Sequence, residues 1–463
     1  MQRPSSTHHA QPDVLQAVRR DLADGREWIG RVVILAYAVL AGASIVAFTW
    51  LSDWSLGTFN RVVSAHPLLP LAWTPLLCAG LAWTTVRWFP GASGSGIPQV
   101  MAALHRSVPE EARNGLVSLR LAVAKTLLTA IGLLGGLAIG REGPSVQIAA
   151  GVMHHARRWL PQGGSVTPHG LLVAGGAAGI AAAFNAPLAG VMFAIEELTR
   201  RIEQRSSGLV VAAIVLAGLV AVSVFGNATY FGVIHVPRLT LSFAGPAMLV
   251  IVGTGLLGGL FSRLLQASLI GHGHPVSRWR ARHPVAFAAA CGLGIALIGV
   301  VSHGATFGSG YLTTRHMVEG HAELPVLYVT LRLVATWLAV WSGVPGGLFA
   351  PSLAIGAGLG NDVAQLVGAG PESAALIALG MAGFLAALTQ APVTAFIIVM
   401  EMVDGHAMVL TLMAASLGAS LIARWLARPL YGALAAAQLA RLDLHAARHA
   451  SLPAPTPDRA QSS

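Results

Sequence analysis

The chemistry in this chain gathers around a carboxylate placed where carboxylates are costly. Glu142 lies in Gly140-Arg141-Glu142-Gly143-Pro144-Ser145, inside a long apolar region. An ionised side chain at membrane depth costs roughly 2.5 to 3.5 kcal/mol on insertion scales, so such residues face cavities and mark ion or proton paths. The flanking glycines let the backbone bend. Pro144 suits the first turn of a helix, whose free N–H groups would then face the same spot. The alternative is a tight interfacial turn, with Arg141 and Glu142 reaching out to water.

Two further glycine-rich breaks resemble this one. Gly94-Ser95-Gly96-Ile97-Pro98 and Gly347-Leu348-Phe349-Ala350-Pro351 are too rich in Gly and Pro for continuous helix. Segments opening at Ser95, at Pro144 and near Phe349 would present unpaired N–H groups and the positive ends of helix dipoles, each about half an elementary charge. That selects an anion. Ser95 adds a hydroxyl donor without a full charge, which would hold an anion too tightly for turnover; its alternative is a small residue at a helix-packing contact. A carboxylate beside an anion site competes with the anion when ionised and leaves when protonated, so Glu142 links proton binding to anion occupancy. Glu196 and Glu197, near Arg200 and Arg201, offer either a proton relay or surface ion pairs, and Glu401 is their counterpart later in the chain. Lys125, the single lysine, and Arg332 are lone cations in apolar helices, read as counterions behind the site.

These residues need a membrane scaffold to hold them. Hydrophobic residues make up 54% of the 463, charged residues 10%, and the mean hydropathy is +0.66; a soluble domain carries about 25% charged residues. Apolar runs of roughly the 20 residues a spanning helix needs cover 32–51, 68–86, 208–225, 243–261, 285–301 and 406–423. The shorter pieces between them indicate helices that stop part-way, which is tolerated only in protein or beside a cavity. The net charge of +10 does not indicate nucleic acid, because the arginines cap the spans. Arg19, Arg20, Arg26 and Arg31 precede the first, and Arg424, Arg428, Arg441 and Arg448 follow the last, placing both termini in the cytoplasm. Residues 1–30 read as a cytoplasmic segment ending in a short surface helix, not a signal peptide. Cys78 and Cys291 read as buried small hydrophobes, and no metal or cofactor is expected. The basic loop 271–284, with Arg278, Arg280 and Arg282, reads as a cytoplasmic connector that could meet anionic headgroups.

The order of motifs repeats. Gly308-Ser309-Gly310 echoes Gly94-Ser95-Gly96, the segment from Gly347 echoes that from Gly140, and Ala391-Pro392 to Glu401 echoes Ala186-Pro187 to Glu196, at offsets of about 205 to 214 residues. Two homologous halves, about 31–225 and 241–425, follow, within a transmembrane domain of 31–435 and before a short cytoplasmic tail of 436–463. Interrupted segments at matching positions put a transporter's site at the repeat interface. The matches leave inverted and parallel halves both open.

The three motifs, in this order and spacing, resemble the signatures of the CLC family of chloride channels and proton-coupled chloride transporters, and the likeness runs from about residue 30 to 435. The resemblance implies an all-α polytopic membrane protein whose two halves form an inverted repeat, with broken, tilted helices meeting at a central anion site. It implies that Ser95 and Tyr431 supply hydroxyls to the anion, that the amides of Leu348 and Phe349 complete the site, and that Glu142 is gate and outer proton acceptor. Gly94, Gly96, Pro98, Gly140, Arg141, Gly143 and Pro144 shape the loops, with Lys125 and Arg332 in support. Glu197 matches the inner glutamate that exchangers use and channels usually replace. A homodimer with one pathway per subunit, in the cell (inner) membrane, is also implied. Gln99 departs from the acidic residue many relatives carry after the first motif. Retained Ser95 and Tyr431 favour chloride over fluoride, and regulation by appended nucleotide-sensing domains is not expected.

The expected function is therefore chloride transport coupled to protons, with a passive anion channel as the alternative and no enzymatic activity. Gly91-Ala92-Ser93-Gly94 also suggests an intramembrane serine protease. That chemistry needs a histidine in a spanning helix to activate the serine, and the histidines here lie mainly in tails and loops.

Overall fold

The computed structural model describes residues 25–161, 166–199, 207–226, 229–234, 241–271, 273–321, 324–325 and 327–450. The surface helix expected before residue 25, and Arg200 and Arg201, lie outside them. Helix dominates, and among the described residues there is no β-strand. The first half runs α1 (Gly25–Ala65), α2 (Pro70–Trp88), α3 (Ile97–Ala103), α4 (Glu110–Leu116), α5 (Leu119–Leu134), α6 (Glu142–His155), α7 (Pro168–Ala183), α8 (Pro187–Phe193) and α9 (Ser207–Phe225). The second runs α10 (Ala244–Ile270), α11 (Pro275–Arg282), α12 (Pro284–Val301), α13 (Tyr311–Val318), α14 (Tyr328–Trp341), α15 (Phe349–Val367), α16 (Ser373–Thr389), α17 (Pro392–Met402) and α18 (Val409–Leu426), before α19 (Leu430–Ala450).

Among the described residues, six helical segments are long and apolar enough to cross a membrane. Five contain runs expected from the sequence. The sixth joins α4 and α5, whereas the run 68–86 forms α2, 19 residues long with Pro75 inside. The boundary expected at 435 falls inside α19: its alanine-rich segment has no break before residue 450, so part of the expected tail is helix.

Local chemistry sets the helix ends, and it recurs in both halves. Gly96 (φ 102°) and Gly310 (φ 84°) precede α3 and α13 in the left-handed region that side chains with a Cβ resist. Asn185 and Gln390, both at positive φ, make the turns before Ala186-Pro187 and Ala391-Pro392, and the prolines then open α8 and α17. Thr167 Oγ1 accepts from the Gly170 N–H at 3.1 Å to cap α7.

Packing follows the same repeat. Helix α6 packs on α7 as α15 packs on α16, and α1 on α9 as α10 on α18. In the first of these pairings small residues let backbones touch: a Cβ on Gly179 would strike the Ser145 carbonyl, and one on Gly356 the Gly380 carbonyl. Cys78 and Cys291 are buried free thiols where α2 packs on α12.

The halves meet at their glycines. Gly140 N–H donates to Gly347 O at 2.8 Å and Gly347 N–H returns a bond to Gly140 O at 2.7 Å, an antiparallel bridge. Reciprocity of this kind is what a two-fold relation between the halves produces, as an inverted repeat requires. Two carboxylates obey the same exchange. Glu196 accepts from the N–H groups of Val393 (3.1 Å) and Thr394 (2.6 Å) at the start of α17, while Glu401 accepts from Leu188 (3.2 Å) and Ala189 (2.7 Å) at the start of α8.

Gly347→Ala is expected to abolish a monodisperse peak on size-exclusion chromatography, because its Cβ would sit 2.8 Å from Gly143 N. Gly80→Ala on α2 meets nothing within 4 Å and should elute as the wild type does. Equal behaviour of the two variants would remove the bridge from its organising role.

Candidate anion site

The bridge sets two helix N-termini beside each other. Helix α6 begins at Glu142 and α15 at Phe349, directly after the bridged glycines. Their first-turn N–H groups have no intrahelical partners, and the dipoles add partial positive charge at the same place. Into it the chain inserts its own anion. Glu142 is fully buried, its Oε2 accepts from Ala350 N–H at 3.3 Å, and Oε1 has no hydrogen-bond partner.

Close approach of three loops makes this possible. A Cβ on Gly143 would overlap Ser95 Oγ and lie 3.2 Å from Gly347 Cα; one on Gly96 would lie 3.0 Å from Gly143 O. Gly346 N–H donates to Gly94 O at 3.1 Å, which ties the first loop to the third. Ile97 and Pro98, both buried, open α3 behind Ser95.

Lys125 holds the first of these loops from behind, and Arg332 holds the corresponding Gly308 turn of the second half. Lys125 Nζ donates to Ala92 O (2.8 Å) and Gly94 O (2.5 Å), while Arg332 donates through Nη1 to Thr306 O (2.7 Å) and through Nη2 to Gly308 O (2.9 Å). Both side chains are fully buried. The sequence reading made them counterions; instead they grip backbone carbonyls. A buried cation needs hydrogen bonds more than it needs a particular partner, and the turns at Gly94 and Gly308 offer carbonyls that have left their helices.

Ser95 Oγ and the Tyr431 hydroxyl are buried, lie beside each other, and make no hydrogen bond of normal geometry. Tyr431, at the start of α19, is fully buried with its ring 5.9 Å from that of Phe349. Leu348 and Phe349 are each 2% exposed. Two orphaned hydroxyls below two helix N-termini form a donor set for a small anion without a full positive charge. Buried hydroxyls are normally partnered, so both are available to a ligand that enters beside them.

Glu197 lies in a π-turn, 194–198, at the end of α8, and within electrostatic reach of the Tyr431 hydroxyl. Such turns recur at functional positions. Its neighbour Glu196 is committed to capping α17, and the two carboxylates are thereby separated in role.

The sequence reading missed the surroundings of Arg141. Arg141 Nη1 bonds Asp53 Oδ1 at 2.5 Å, and Nη2 donates to the Tyr230 hydroxyl at 3.1 Å. With Asn185 and Tyr311 they line a cavity of about 210 Å³ on the Glu142 side. Asp53 and Tyr230 lie almost ninety residues from Arg141 on opposite flanks, with no motif to join them. Gln147 was missed too; two residues beyond Ser145, it donates to Gly91 O (2.8 Å) and Leu116 O (2.7 Å) and braces the first loop. Gln99 Nε2 donates to Ser93 O at 2.5 Å, so an amide does here what a carboxylate could not.

Comparison with known proteins places this geometry. Residues 76–424 match the family model described as voltage gated chloride channel. A slow cyanobacterial Cl⁻/H⁺ antiporter superimposes with a TM-score of 0.73 at 24% identity, over 90% of this chain and 99% of its own. A eukaryotic CLC transporter gives 0.70 at 21% identity, over 89% and 75%. A CLC-type fluoride/proton antiporter gives 0.69 at 22% identity, over 88% and 97%.

If the Glu142 carboxylate occupies an anion's position, Glu142→Ala should tighten chloride binding by about tenfold, roughly 1.4 kcal/mol, in calorimetric titration of the purified protein. Ser95→Ala should weaken it. Unchanged affinity in Glu142→Ala would mean that carboxylate and anion do not share a position.

Proposed function

This chain belongs to the voltage gated chloride channel family, and from that premise we propose that it exchanges chloride for protons across the membrane. The family transports and does not catalyse covalent chemistry, and its members are multi-pass membrane proteins. The observation that carries the finer reading is Glu142 resting on the α15 N-terminus through Ala350 N–H. A carboxylate resting on backbone N–H groups, with one oxygen free of any hydrogen bond of normal geometry, can exclude an anion and can also leave. Protonation removes the charge that α15 attracts. The freed position then accepts chloride from the place between Ser95 and Tyr431.

Protons need a separate entrance, and Glu197 supplies it. Tyr431 lies within electrostatic reach of both Glu197 and Glu142, which places the Tyr431 hydroxyl near both carboxyls. A proton from Glu197 reaches Glu142 past Tyr431 when the anion has moved on. Ser95 and Tyr431 contribute hydroxyls to the bound anion, and the N–H groups of Leu348 and Phe349 complete its shell. Arg141, held by Asp53 and Tyr230, fixes the loop that carries Glu142.

Orientation follows from charge. Arg278, Arg280 and Arg441 line a second cavity, reached from the Ser95 side, and arginines accumulate on cytoplasmic surfaces. Ser95 and Glu197 therefore face the cytoplasm, Glu142 and Arg141 the opposite side. Every residue invoked comes from one chain, which fits a homodimer of two independent pathways in the cell membrane.

Liposomes containing the protein, given a chloride gradient and a potential opposing passive proton flow, test the reading. Uphill proton movement is expected. Glu197→Gln should stop it while chloride flux continues, and Glu142→Ala should do the same. Chloride flux without proton movement in the wild type would make the protein a passive channel, and Glu197→Gln would then change nothing.

A further inference from the structure

The cavity below Ser95 is larger and more basic than a path for chloride needs. Its volume is about 350 Å³, within the range of small-molecule sites. Arg278 and Arg280 of α11 and Arg441 of α19 line it, and among its lining residues there is no carboxylate. None of the three makes an ion pair among the described residues. Arg280 is half-buried, makes one long bond to Ser268 O at 3.5 Å, and is held below the usual arginine range by burial and by Arg441. Its Nη2 would lie 3.6 Å from a Cβ on Gly343, whose carbonyl accepts from Ser93 Oγ at 2.8 Å. The guanidinium thus stands against the loop that carries Ser95.

Arg280 is half-buried while Arg278 and Arg441 are exposed at the cavity's rim, and like charges gathered around one cavity are poised for an anion that can bridge them. Chloride carries one charge on a single atom and cannot offer separate oxygens to match each guanidinium fork. Phosphate oxygens can, two at a time for each arginine. At the wall, Gln438 Oε1 and Gln99 Oε1 are buried and unpartnered, and Gln438 can turn its amide to present donors.

We propose that this cavity binds a soluble polyvalent phosphate anion of the diphosphate kind, which occludes the Ser95 side and slows transport. The site rests on the transport reading only for its effect on flux; binding itself does not. Such an anion spans the arginines but is too large to follow chloride past Ser95. Focusing of the field by low-dielectric walls concentrates it from solution.

The test uses the full chain and pyrophosphate as the probe. Calorimetry at low ionic strength should show binding to the wild type, weakened about tenfold or more in Arg280→Gln and in Arg441→Gln. Arg280→Lys, which keeps the charge and loses the fork, should fall between. In vesicles of neutral lipid, pyrophosphate on the Ser95 side should slow chloride flux, and less so in both glutamine variants. Thermal unfolding and size-exclusion profiles confirm that the variants fold. Absent binding, or binding indifferent to both substitutions, overturns the site. Arginine-dependent slowing seen only when anionic phospholipid replaces pyrophosphate assigns the cavity to a headgroup and overturns the soluble ligand. Binding without any slowing overturns occlusion. A protein that moves no chloride at all would sink the transport reading, yet leave the calorimetric outcome to decide the site.

Discussion

Two hydrogen bonds between glycines set the terms for the rest of the molecule. The Gly140–Gly347 exchange sits where a Cβ on Gly140 would overlap Glu142 Oε2 and one on Gly347 would crowd Gly143 N, and it brings the openings of α6 and α15 together. Each helix alone has a modest dipole field at its end; side by side, away from water, the two fields add where the dielectric is low. A void with that potential must be filled by negative charge or by water. Glu142 fills it from within the chain.

Elsewhere the protein neutralises buried charge permanently, and the contrast explains why Glu142 is different. Lys125, Arg332, Glu196 and Glu401 each hold two backbone groups of the opposite polarity. Charge-assisted bonds of this kind are about twice as strong as neutral ones, and breaking one partner away leaves a buried ion costing several kcal/mol. These four do not move. Glu142 has one bond to Ala350, at 3.3 Å, and a bare second oxygen. Of the carboxylates that meet helix N-termini at the repeat interface, it is the one with an oxygen that has no hydrogen-bond partner among the described residues.

The two cavities are asymmetric although the repeat is not. Near Arg141 a carboxylate, Asp53, neutralises the cation, and aromatic rings pack around it. Below Ser95 three arginines have no such partner. The difference arises because α11 and α19 have no counterparts among the described residues of the first half, and they carry the basic residues to one side. An inverted fold, which by symmetry would treat both faces alike, thereby gains a direction.

The sequence by itself determined the class of protein, the repeat, and the residues that could meet an anion. Apolar runs of bilayer length, glycine-proline breaks at matching positions, and a glutamate among them are local patterns, and local patterns survive in one dimension. What it left open was who holds whom. Glu196 and Glu197 are adjacent and equivalent on the page; only the packing of α8 on α17 commits the first to a helix end and leaves the second out of that cap. Lys125 and Arg332 looked like counterions, because nothing in a sequence shows that a carbonyl turned out of its helix lies within reach. Asp53, Arg141 and Tyr230 meet across three distant segments, and Arg280 and Arg441 across two. Such pairings depend on how helices cross, which is set by small residues and shape over the whole interface. Tertiary structure alone decided them.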